Sequence, residues 1–135
     1  MDTGENHRVR IVLMENNALL LLYRSKNGKE FYSFPGGGVE KEEALESAVI
    51  REAKEETGYD VIITKQLWAI ENMGRMEHFF MVRRTGGELA LGGPEKERQS
   101  ENNVYKLEWV PLQDLKNRIV FPEETKQKIA ELFLQ

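Results

Sequence analysis

Three glutamates, Glu52, Glu55 and Glu56, lie three and four residues apart near the end of segment 44–57. Placed at about 100° per residue, they continue the stripe that Leu45, Ala48 and Val49 begin. Glu43, Ile50, Lys54 and Thr57 fall on the other side. A helix of ordinary amphipathic design keeps such a stripe apolar. A Glu-rich stretch is most often the solvated face of a helix, but these carboxylates take over positions that start as core. Clustered and partly withdrawn from water, they cannot all stay ionised unless a cation joins them. An all-oxygen donor set suits Mg²⁺ or Mn²⁺ rather than zinc or copper. Such an ion neutralises phosphate groups and acidifies a water, whose proton a remaining carboxylate can accept.

The surroundings of the three glutamates come at fixed spacing. Five residues separate Gly37 from Glu43, and seven more lead to the pair Arg51-Glu52. Two then precede Glu55-Glu56, and one spacer precedes Gly58. In this the segment resembles the Nudix box, the signature of hydrolases acting on nucleoside diphosphates linked to another moiety (the MutT-like proteins among them). All seven polar and glycine positions match. Ala53 and Tyr59 stand where the family prefers bulkier apolar residues, a departure that touches packing more than chemistry.

The resemblance implies roles for individual residues. Glu55 and Glu56 match the principal metal-binding glutamates, and Glu52 a third acidic residue that serves as ligand or general base. Gly37 would lend its backbone carbonyl to the metal. Arg51 matches the catalytic-site arginine that orients its neighbours through charge-assisted hydrogen bonds. Glu43 is its expected partner, and Gly58 supports the box from behind as the left-handed residue that ends the helix. Some members draw the base from a later loop, where Glu95 and Glu101 are the candidates here. Arg98 could reach substrate phosphates.

Composition sets the frame. The 135 residues make one domain spanning 1–135, with 31% charged and 40% hydrophobic residues. There is no cysteine, which excludes disulfides and thiolate metal sites and weakens an isomerase reading of the same fold. The first ten residues lack a signal-peptide core and no apolar run is long enough to cross a bilayer, so a cytoplasmic location and no membrane partner are expected. The formal net charge is −4, with the acidity concentrated in the box. Without a basic stripe, duplex nucleic acid is not expected as a partner. The expected partner is a small nucleotide substrate, and dimers among related proteins make a homodimer an option.

The elements that must position these residues read as follows. Residues 9–13 and 18–24 form strands around a turn at 15–17, the second apolar enough to be covered on both faces. A polar loop follows at 25–30, then a short aromatic strand at 31–34 ended by Pro35. Gly36, Gly37 and Gly38 allow backbone to approach a ligand closely. After the box helix at 44–57, with Glu42 and Glu43 in its first turn, strands are expected at 61–70, 77–84 and 104–110. Pro122 opens a last helix whose buried side is Ile129, Leu132 and Phe133. Residues 85–103 read as a long connection, with only 89–91 resembling a strand, and loops of that length are usually functional. Trp68, Phe79 and His78 are read as strand residues rather than as ligand contacts. Periodicity by itself leaves α+β and α/β open. The resemblance implies an α/β class, the Nudix fold, in which a mixed β-sheet is sandwiched between α-helices. It also leaves a second function open, a Nudix-fold nucleotide-binding or regulatory domain without catalysis.

Overall fold

The computed structural model describes residues 6–92 and 99–133. Among the described residues, seven strands and three helical segments follow one another. They are β1 (His7–Glu15), β2 (Ala18–Lys26), β3 (Lys29–Ser33), β4 (Gly36–Gly38), α1 (Leu45–Thr57), β5 (Tyr59–Asn72), β6 (Arg75–Gly87) and β7 (Asn103–Pro111). A 3₁₀ helix (Leu112–Asn117) and α2 (Glu124–Phe133) complete the order. The sheet is mixed: β1 runs parallel to β6, and the other pairings between these strands are antiparallel.

Three tight turns set the hairpins. Asn16-Asn17, Asn27-Gly28 and Met73-Gly74 all hold positive φ, the backbone that matches the twist of flanking strands. The Asn27-Gly28 turn replaces the expected loop at 25–30, because β2 and β3 stay paired up to Lys26 and Lys29.

Alternation along the strands divides the core in two. Val9, Ile11 and Leu13 of β1, Leu20 of β2 and Phe80 and Val82 of β6 face α1, packing with Ala48, Val49 and Ala53. Val12, Leu19, Leu21, Phe34 and Phe79 face the other way, with Leu112, Leu115 and Ile129 from the 3₁₀ helix and α2. The sheet is thus covered on both faces, as the unbroken leucines of β2 imply. Trp68 is half-buried beside Phe79, and His78 lies against His7 across the β1–β6 pairing, with ring nitrogens 2.8 Å apart.

Strands β1 and β2 are paired only at their hairpin, Met14 with Leu19 and Glu15 with Ala18. Beyond that point β1 takes β4 as its neighbour, while β2 is flanked by β3 and β7. The two halves diverge there and leave a cleft.

Several boundaries differ from the sequence reading. Helix α1 begins at Leu45 after Ala44, so Glu42 and Glu43 precede it instead of forming its first turn. Thr57, placed on the outer side by helical periodicity, is buried. Its hydroxyl donates to the Ala53 carbonyl and accepts the Tyr59 amide. The connection expected from residue 85 starts later, because 85–87 continue β6 opposite Tyr59 and Asp60. Residues 89–91 form no strand.

Candidate active site

The site is built where the glycine strand meets the last turns of α1. Val9 of β1 is paired with Gly37, and paired positions point to the same face of a sheet. The Gly37 α-carbon therefore faces α1 on the side where Val9 packs. Glu52 fills the space beside it so closely that a β-carbon there would lie 2.4 Å from the Glu52 carboxylate. Only glycine lets that carboxylate come so near the backbone. Gly36, at φ +148, is pressed against the Val9 carbonyl in the same way.

Arg51 organises the carboxylates. Its Nε and Nη2 donate to the two oxygens of Glu43, each at 2.8 Å. Its Nη1 donates to Glu52 at 2.9 Å and Glu55 at 3.1 Å, and Nη2 also reaches the Gly38 carbonyl at 2.9 Å. Glu40 lies 3.3 Å from Nε. A planar guanidinium fits this fork of acceptors, which an ammonium could not. The Arg51 contact, opposed by burial and aided by the Glu40 amide, holds the Glu43 carboxyl below the usual range. Glu43 in turn is the main cause of the raised pKa of Arg51, with Glu52 adding to it.

The glutamates do not share one environment. Glu52 and Glu56 are buried, at 6% and 4% exposure, while the Glu55 side chain is half in water. All three sit in the last turns of α1, where the helix dipole is negative and carboxylates are disfavoured. Burial raises the cost further. Among the described residues, four carboxylates share the single guanidinium of Arg51. Within this cluster the carboxylates outnumber the guanidinium, a balance that an added cation would shift.

The helix end is tied to the following connection. Gly58 takes φ +82 and donates to the Lys54 carbonyl. Ala90 then donates to Thr57 at 2.8 Å and Gly92 to Glu56 at 3.4 Å, satisfying carbonyls that a helix terminus leaves open. The connection thus holds the backbone that carries Glu55 and Glu56.

The candidates from the later loop fare differently. Glu95 and Arg98 lie outside the described residues. Glu101 is exposed on a turn closed by Ser100 and Asn103, and that turn is bonded to the β2–β3 hairpin through Asn27 and Asn102.

Sequence reasoning missed a set of basic residues on the opposite face of β1. Arg8 and Arg10 alternate with Val9, and they line the cleft with Arg24, Lys26 and Arg75. The alternation of Arg8-Val9-Arg10-Ile11 was a readable sign that two arginines share a face. The other three come from β2 and the start of β6 and could be joined to them only by the fold.

The comparisons with known proteins agree with this architecture. The NUDIX domain family model matches residues 5–132. An ADP-ribose pyrophosphatase of Methanocaldococcus jannaschii is 34% identical over 105 residues, covering 71% of this chain and 62% of that protein. An RNA pyrophosphohydrolase of Pelagibacter ubique is 25% identical over 144 residues, covering 90% and 89%. The chain spans less than two thirds of the length of the first curated relatives it matches. Among solved structures, a NUDIX-family hydrolase from Clostridium perfringens superposes with a TM-score of 0.69 at 20% identity, over 95% of this chain and 97% of that one. With the box residues gathered on one helix end and the mixed sheet covered on both faces, the chain belongs to the NUDIX domain family.

Proposed function

We propose that the protein is a divalent-cation-dependent hydrolase that splits the diphosphate of a small nucleotide derivative, a nucleoside diphosphate linked to another moiety. The observation that carries this reading is the gathering of four carboxylates on the guanidinium of Arg51, with Glu52 buried beside Gly37 and Glu56 buried on the same helix.

The donor set fits magnesium. Among the described residues no three His, Asp or Glu side chains form a closed metal cluster. Magnesium does not need one, because it keeps several waters and takes one or two carboxylates together with substrate phosphates. Glu52, Glu55, Glu56 and the Gly37 carbonyl are the groups proposed to hold it, with manganese as a substitute. When bound, the ion would neutralise phosphate charge and make a water more acidic.

The chain supplies position and a proton acceptor. Arg51 fixes Glu43, Glu52 and Glu55 relative to the glycine strand, so the carboxylates need not reorganise as charge builds on the substrate. In the reaction the water oxygen bonds to one phosphorus while the bridging P–O bond breaks. The bond's electron pair leaves with the bridging oxygen, the water's proton passes to a carboxylate, and two phosphate monoesters result.

A product-resolved screen tests the reading. ADP-ribose, nucleoside triphosphates, dinucleoside polyphosphates, nucleotide sugars and 5′-phosphorylated RNA are incubated with Mg²⁺ and the wild-type protein or Glu55→Gln. At least one small substrate should yield two phosphorylated products, with turnover lowered about 100-fold or more in the variant. Undiminished turnover by Glu55→Gln would overturn the role given to that residue. Tight nucleotide binding without turnover by the wild type would favour a binding domain instead.

A further inference from the structure

The cleft where β1 and β2 diverge encloses about 770 Å³, a size suited to a small ligand. Its charge goes beyond what a nucleoside needs. Arg8, Arg10, Arg24, Lys26 and Arg75 face a single carboxylate, Glu77. Glu77 is buried and already committed: it accepts from Arg10 at 3.1 and 3.3 Å and from Asn72 at 3.2 Å. Among the described residues, no ion pair neutralises Arg8, Arg24, Lys26 or Arg75.

Arg24 is held in place rather than loose. It donates to the Tyr105 hydroxyl at 2.7 Å and to the Asn103 side chain at 3.2 Å, and its guanidinium lies over the Phe31 and Tyr105 rings. Its Nε is buried without a hydrogen-bond partner, a donor that the fold alone leaves unused. Burial, and after it the neighbouring Arg10 and Arg75, weakens the hold of Arg8 on its proton, with Glu77 and Glu52 opposing them in part. Gathering like charges in a cavity costs stability unless an anion enters. Phe31 and Phe121, edge to face at 5.7 Å, add an apolar wall against which a ring can rest.

A neutral base calls for stacking and a few hydrogen bonds, which does not explain this surplus of cations. The scissile diphosphate is assigned to the carboxylates on the α1 side of β4, whereas Arg8 and Arg10 point to the other face. We infer that the cleft binds a further phosphate group, carried on the organic moiety of the substrate and separate from the diphosphate that is cleaved. The substrate class is then a diphosphate derivative whose sugar or nucleoside bears its own phosphate monoester. The placement of the diphosphate rests on the hydrolase reading; the charge of the cleft does not.

Matched pairs differing only in that phosphate test the inference: NADPH against NADH, 2′-phospho-ADP-ribose against ADP-ribose, and coenzyme A against its dephospho form. Binding is measured by calorimetry on Glu56→Gln, and kcat/KM on the wild type with Mg²⁺. In at least one pair the phosphorylated member should bind about tenfold tighter or better, and any turnover should follow the same order. Arg8→Gln and Arg75→Gln should each shrink that ratio about threefold or more, which a merely structural role would not do. Equal or reversed affinity in all three pairs, no binding of any member, or an unchanged ratio in both variants would overturn the inference. So would preference for a 5′-phosphorylated oligoribonucleotide over every small molecule. Discrimination in binding with no turnover would sink the hydrolase reading and leave this one standing. Turnover without discrimination would do the reverse.

Discussion

Arg51 and Gly37 do different work in the site, and substitutions should separate them. A methyl group at residue 37 would meet the Glu52 carboxylate, which sits at the end of a flexible side chain and can swing away. Gly37→Ala should therefore stay folded, with an unfolding midpoint near that of the wild type, while kcat falls about tenfold or more. Equal loss of stability and activity would contradict this. Glu43 acts through Arg51. Its carboxyl is held below the ordinary value of 4.5 chiefly by the Arg51 contact, so its contribution to stability is complete above that pH and is lost as pH falls through the lowered value. Glu43→Gln should cost about 1–3 kcal/mol at neutral pH. Denaturant unfolding should show the difference narrowing once the pH drops below about 4.5. The residue types of the box and their spacing made this constellation legible in the sequence. The unequal burial of Glu52 and Glu55 was not, because it depends on how the glycine strand lies against the helix.

Helix α1 and the connection after β6 act together. Gly58 has φ +82 and no room for a β-carbon, which would come within 2.1 Å of the Glu88 carbonyl. Gly28 has nearly the same φ, +83, but open space around it. Gly28→Ala should therefore cost about 1 kcal/mol of backbone strain alone. Gly58→Ala should cost about 2 kcal/mol or more and also lower activity, since it dislodges the segment that holds the carbonyls of Thr57 and Glu56. Thermal unfolding of the two variants side by side isolates that contact. The left-handed end of α1 was readable from Gly58 following an amphipathic run. The docking of residues 88–92 on it was not, since backbone amides meeting helix carbonyls leave no mark in side-chain pattern. The Asn27-Gly28 turn did carry a signal. Its polar flanks masked a strand, β2, that is paired on both sides.

The molecule as a whole separates two charged regions across one sheet. The face toward α1 carries the carboxylates, and the divergence of β1 from β2 opens the basic cleft on the other face. Phe79 anchors that other face, fully buried against Phe34 and Trp68. Phe79→Ala should lose about 3–5 kcal/mol, measured by urea unfolding, with both cores failing together in one transition. The sandwich of helices on a mixed sheet was legible once the box had suggested the family, because the unbroken leucines of β2 demanded cover on both faces. The cleft was not legible: its cations come from β1, β2 and the start of β6, and only the pairing order brings them together. No helix among the described residues is long and apolar enough to cross a membrane.

The buried carboxylates at the end of α1 are proposed to gather a divalent cation around a diphosphate. Initial rates on the best substrate of the screen, taken across a Mg²⁺ titration for the wild type and Glu56→Gln, put this to the test. The wild type should need Mg²⁺ and saturate with it, and Glu56→Gln should lose about 100-fold or more in kcat with a raised Mg²⁺ requirement. Turnover in excess chelator, or a Glu56→Gln curve that overlays the wild type, would show that these carboxylates do not hold the cation.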